Sequence, residues 1–281
     1  MKAATNILMF AVAVLFASIS VAQNSLALYV SDSGSAALTE VQGRTSLLVL
    51  AGGNDNGQAT SGSCVIAASL TAVDGGFKGS LFSVSTGINS YSEEQAQGKK
   101  INVESDSAAI VITDVDDVGI CALDNSLVNR YGKILLNDKK HKIVYSKMID
   151  LAHANALSLF KKGKKEEAII GLSPYAENYK PAWLADKELA GVVVSAINDY
   201  AYFLQENNQA AESIPFLKNI VTAQPNRAVA WLNLADSNWA VGNKSDAVNQ
   251  YAEYKKLMLS ANKKSKIPSR VFERSGVSSS F

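Results

Sequence analysis

Ser158-Leu-Phe-Lys161 and Ser260-Ala-Asn-Lys263 each place a hydroxyl and an amine one helical turn apart, the spacing of a serine nucleophile beside a lysine base. Neither an S-D-N nor a K-T-G run accompanies them, and a chain this rich in Ser and Lys contains such pairs by chance. No G-x-S-x-G stretch offers a nucleophile elbow. His141 and His153 have no nucleophile nearby in the sequence with which to form a triad. Asp114, Asp116 and Asp117 crowd one short run, but the glycine and terminal glutamate of an EF-hand loop are missing, so the run reads as an exposed acidic turn. Gly52-Gly53 and Gly75-Gly76 lack the Lys-Ser/Thr that completes a phosphate cradle. Cysteines and histidines number two each, without the close spacing of a zinc site. The expectation is a chain that is no enzyme and carries no cofactor and no metal.

Cys64 and Cys121 have another use. Lys2 is followed by the apolar run Ile7 to Ile19, and Ser20-Val21-Ala22 supplies small residues where a signal peptidase inspects the chain. Residues 1–22 therefore read as a secretory signal peptide cleaved after Ala22, sending the protein to a periplasm or out of the cell. The apolar run falls short of the roughly 20 residues of a spanning helix, and no later stretch is apolar enough, so no membrane span is expected in the mature chain. In an oxidising compartment Cys64 and Cys121 are expected to form a disulfide. Closing a loop of 57 positions stabilises by about 4 kcal/mol on the chain-entropy estimate.

These cysteines sit in a half of distinct composition. From Gln23 to Lys140, short runs of β-formers are bounded by Gly, Ser, Asn and Asp: Leu26 to Val30, Ser46 to Ala51, Cys64 to Val73, Phe77 to Ser85, Lys100 to Glu104, Ala108 to Thr113, Val118 to Cys121 and Lys133 to Leu136. Asp74-Gly75-Gly76 marks a tight hairpin. The pattern predicts an all-β sandwich or small barrel over 23–140. From His141 onward Ala, Leu, Lys and Glu set a helical period, which predicts an all-α region over 141–273 and a flexible tail over 274–281.

Within the helical half, residues 194–227 align with 228–261 at an offset of 34. Ala201 falls on Ala235, Ser213 on Ala247, Leu217 on Tyr251 and Ile197 on Trp231. Small residues at two fixed positions let paired helices approach, while Trp231, Leu234, Val248 and Tyr251 fill the space between pairs. Asn208-Gln209 and Gly242-Asn243 share one phase and supply the turns, and Pro225-Asn226 separates the units. The segment Leu157 to Leu172 looks like a third, offset unit, with Gly163 at its turn. Between it and the others, the stretch Pro174 to Pro181 is expected to be a connection and Ala182 to Ala190 an extra helical piece. Pro215 is expected to kink or delay the helix in which it falls. This period and residue pattern resembles the tetratricopeptide repeat. The resemblance implies a groove lined by the first helix of each unit: Ser195, Asn198, Tyr202 and Gln205 in one, Val229, Leu232, Asp236 and Trp239 in the next, with Asn233 beside them. None of these is Lys or Arg, so the carboxylate clamp of that family is not implied. Tyr202 and Trp239 are the residues suited to a binding hot spot.

Net charge is uneven, with 8 Lys+Arg against 13 Asp+Glu over 23–140 and 18 against 13 over 141–281. The basic stretch Lys263, Lys264, Lys266 and Arg270 has no interleaved aromatics and reads as a solvated helix end, and no nucleic-acid partner is expected. The reading is an exported, non-catalytic scaffold or adaptor that binds a protein or peptide. The alternative is an inhibitor, of a cell-wall hydrolase for example, acting through the β domain.

Overall fold

A computed structural model describes residues 24–53, 59–119, 121 and 127–275. The expected signal peptide, and positions 276–281 of the expected tail, lie outside the described residues. The first half comprises Ser25–Ser31 (β1), Gly34–Val41 (β2), Arg44–Gly53 (β3), Ala59–Val73 (β4), Gly76–Leu81 (β5), Val84–Ser85 (β6), Ser90–Tyr91 (β7), the short helix Glu93–Ala96 (α1), Lys100–Ser105 (β8), Ala109–Val115 (β9) and Asn129–Ile134 (β10). Eight of these strands close into an antiparallel barrel in the order β1, β10, β9, β8, β5, β4, β3, β2, while β6 and β7 pair separately. Of the two architectures expected, the barrel is the one formed.

Strand alternation explains why the ring closes. In β3 and β4 the pairs Leu47↔Ala68, Val49↔Ile66 and Ala51↔Cys64 belong to the inward face, and all six are buried. Gly34 and Gly79 share that face. A Cβ on either would lie 2.4 Å from a backbone carbonyl oxygen, that of Leu50 or of Ser69. The wall closes at these points only because no side chain is there. The opposite face of β1 to β4 is also apolar, with Leu28, Ala37, Leu50 and Val65 almost fully buried. These strands therefore read as continuous apolar runs, and something must cover them outside. On β5 and β8 the outward residues Lys78, Ser80, Lys100 and Glu104 are exposed and Asn102 among them is half-buried.

Three details differ from the sequence-based expectation. β2 had no strand signal, because Ser-Ala-Ala in a small-residue run has low β propensity; its pairing with β1 and β3 supplies what propensity does not. Phe77 to Ser85 breaks after Leu81, with Val84–Ser85 leaving the barrel to pair with β7. Val118 and Cys121 lie in the β9–β10 connection and not in a strand. There the Asp117 side chain accepts from the Gly119 N–H at 2.7 Å and Gly119 has φ +76°, which turns the chain. Cys121 is joined to Cys64 by a disulfide with the Cα atoms 5.2 Å apart.

The second half is helical: His141–Lys161 (α2), Lys165–Asn178 (α3), a 3-10 turn at Pro181–Ala185, Ala190–Glu206 (α4), Ala210–Ala223 (α5), Ala228–Ala240 (α6), Lys244–Ser260 (α7) and Ser269–Arg274 (α8). The turns inside successive pairs are made by Gly163, Asn208 and Gly242, all at positive φ. The small positions behave as the period requires, since Ala201, Ser213, Ala235 and Ala247 are fully buried. α3 runs unbroken through Pro174 to Asn178, so the expected connection begins only at Tyr179, and the expected extra helical piece is the 3-10 turn. Pro215 likewise sits inside an uninterrupted α5. It forgoes the one intrahelical hydrogen bond that its missing N–H would donate.

The first pair covers the barrel. α2 and α3 pack on β1 and β2, and one apolar cluster runs from Leu28 through Leu151, Leu172 and Val193 to Leu234. Asn24 donates to Glu177 at 3.0 Å, and Asn155 accepts from the Ser85 N–H at 2.9 Å. Among the described residues a single ion pair, Lys164 with Glu93, joins the two halves. Their opposite charges therefore contribute less to the junction than the shared apolar core. Among these residues no helix is long and apolar enough to cross a membrane.

On α2, the Lys147 amine is buried with no hydrogen-bond partner, and burial lowers its pKa from 10.5 to about 8. At pH 7 the amine is charged in both folded and unfolded chains, so the native state bears the full cost of its desolvation. As the pH rises from 8 toward 10.5 the native amine loses its proton first and the cost fades. Lys147→Met is expected to stabilise by about 1–2 kcal/mol at pH 7 after allowing for solvent screening. Urea unfolding at pH 7 and pH 10 checks this: the gain should shrink at the higher pH, and equal stability of the two proteins at pH 7 would reject it.

Candidate interaction site

The first helices of the three pairs, α2, α4 and α6, form one face, and every groove position expected from the sequence lies on α4 or α6. Their environments differ. Asn198 and Asn233 are 2 % and 7 % exposed and belong to the packing between helices. The Asn198 amide donates to Asp199 at 3.2 Å, and Asp199 reaches across to His153 Nε2 on α2 at 2.8 Å. This contact ties the first two pairs together. Gln205 and Leu232 are half-buried. Tyr202 is 36 % exposed, its ring leaning on Phe160 of α2 with centroids 5.7 Å apart. Val229, at the start of α6, is 44 % exposed.

The α6 end of this face is occupied from within the chain. Asp236 is 8 % exposed. Arg270 on α8 donates to it through Nε at 2.9 Å and Nη2 at 2.7 Å, and Arg274 donates through Nη1 at 3.3 Å. The Tyr251 hydroxyl donates to the same carboxylate at 2.5 Å and accepts from Arg274 at 2.8 Å. Burial first, then the hydrogen bond to Asp236, pushes the Tyr251 pKa up to about 12. The Asp236 hydrogen bond likewise raises that of Arg270. Trp239 lies between two cations, with Lys244 Nζ 3.9 Å and the Arg274 guanidinium 4.9 Å from its ring centroid. Val271 of α8 is fully buried against this layer.

Arg270 is thus no solvated helix end but part of a fixed charge cluster. The cations missing from the groove positions themselves arrive from α8, 34 and 38 residues beyond Asp236. Arg270 stands one period of 34 residues beyond Asp236, but the aligned units end at residue 261, so the register did not reach it. Only the unusual placement of Asp on a mostly apolar helix face hinted that it had a partner.

No family model matches the chain, and no curated protein matches it. Among solved structures it is similar to the first tetratricopeptide-repeat domain of Spaghetti (RPAP3), solved bound to the HSP90 peptide SRMEEVD. The match has 16 % identity and a TM-score of 0.34, and covers 43 % of this chain and 91 % of that one.

Proposed function

We propose that this is an exported, non-catalytic adaptor that holds a segment of another protein against the face shared by α2, α4 and α6. The observation that carries the reading is the exposure of Tyr202 and Val229. Both fall on groove positions expected from the 34-residue register, and both are large apolar side chains left open to solvent. A rigid aromatic with a polar tip contributes contact area at small entropic cost. The disulfide between Cys64 and Cys121 supports an oxidising compartment.

Photo-crosslinking tests the site. A benzophenone side chain at position 202 is expected to trap a discrete partner in the native envelope. The same group at Lys218, exposed on α5, should trap none, and excess unlabelled protein should compete where its Tyr202→Asp variant does not. Identical adducts from both positions, or none from 202, would reject this face.

A further inference from the structure

A second feature stands apart from that face. Between the outer wall of β2 to β5, the short helix α1 and the α2–α3 pair lies a cavity of about 820 Å³, within the size range of small-molecule sites. Its wall is apolar, with Leu48, Leu81, Phe82, Leu159 and Ile170 among its residues.

Gly171 in the middle of α3 also lines it. Glycine weakens a helix interior, and it is usually tolerated where another chain approaches too closely for a side chain. No such approach exists here, since a Cβ on Gly171 would meet nothing within 4 Å. The space in front of the glycine is the cavity itself. Tyr175, one turn further along α3, lines the same cavity while only 2 % exposed. Its side chain closes the inner end of the apolar wall.

The mouth carries charges of both signs. Glu93 and Lys164 pair with each other. Arg44 at the start of β3, Glu94 on α1 and Glu167 in the first turn of α3 line the opening. None of these three has an ion-pair partner among the described residues. One free cation and two free carboxylates beside an apolar wall complement a head group that bears both charges.

We infer that the cavity binds a single-chain zwitterionic amphiphile. The hydrocarbon chain lies along the apolar wall past Gly171, the ammonium faces Glu94 and Glu167, and the anionic group faces Arg44. This reading does not depend on the interaction face above.

The test is titration of the full-length chain with lysophosphatidylethanolamines of increasing chain length, each below its micelle concentration, followed by calorimetry and native mass spectrometry. Saturable binding of one molecule per chain is expected, with affinity rising about fourfold per added methylene until the space is full. Gly171→Phe should lower affinity at least tenfold while keeping the circular dichroism spectrum, whereas Gly171→Ala should bind as the parent does. Arg44 is exposed, so Arg44→Glu tests the head group without disturbing packing, and a tenfold loss is expected. Absence of saturable binding, or undiminished affinity in a folded Gly171→Phe protein, overturns the proposal. Equal binding of a fatty acid and of an alkylammonium, or no effect of Arg44→Glu, overturns the zwitterionic assignment.

Discussion

Breaking the bridge between Cys64 and Cys121 is expected to lower the stability of the protein by about 4 kcal/mol, the chain-entropy estimate for its loop. The bond separates residues 57 positions apart and fastens the β9–β10 connection to the inward face of β4. Cys64 is fully buried, and the connection holds the turn at Gly119, where the backbone has no ladder to secure it. A domain of this kind has about 5–15 kcal/mol in total, so the loss is a large fraction of what is available. Urea unfolding of the oxidised protein, of the same protein under reductant and of the Cys64→Ala/Cys121→Ala variant should place the latter two together. Their melting temperatures should fall roughly 10 °C below the first. Alkylation of the non-reduced protein should find no free thiol. Superimposed unfolding curves with and without reductant, or two alkylated cysteines in the native protein, would reject the role given to the bridge.

How much was legible in the sequence depended on the range of the interactions that decide each element. The helix pairs were readable because their logic is local and repeated. Ala201 and Ala235 must be small for the same reason, and Asn208 and Gly242 occupy left-handed turns at the same phase. Most barrel strands were readable from β-branched and aromatic runs bounded by turn residues, and the Asp74-Gly75 hairpin from its turn type. β2 was not, because its residues are acceptable in many conformations and only the neighbouring ladders decide. Closure itself was equally invisible, since it rests on β1 pairing with β10 at the other end of the domain, Leu28 opposite Ile134. At the candidate face, the register assigned positions but not accessibility. Tyr202 and Val229 remained exposed while Asn198 and Asn233 were consumed by packing. What separates them is a set of contacts at long sequence separation, His153 with Asp199 and Arg270 with Asp236, and spacing within one repeat carries no information about those.

Removing the Asp236 carboxylate is the sharper test of that last point. Asp236→Ala would leave Arg270, Arg274 and the Tyr251 hydroxyl facing one another with no carboxylate between them. A fully buried pair broken in this way costs about 3–5 kcal/mol. Here the side chains of Arg270 and Arg274 are 40 % and 29 % exposed against 9 % for Asp236, so water screens part of the damage and about 2–3 kcal/mol is expected. The loss should be concentrated at the C-terminal end. α8 is only six residues long, too short to persist without tertiary contacts, and it is held by Val271 together with the two arginines. Trypsin should therefore cut at Arg270 and Arg274 faster in the variant than in the parent, and Trp239, relieved of its Arg274 neighbour, should change its fluorescence. Arg270→Ala made in the Asp236→Ala background should cost less than in the parent, because the two groups act on each other. An Asp236→Ala protein within 0.5 kcal/mol of the parent, with unchanged cleavage at Arg270, would show that α8 is held by apolar packing alone and that the carboxylate sits on the α6 face for another reason.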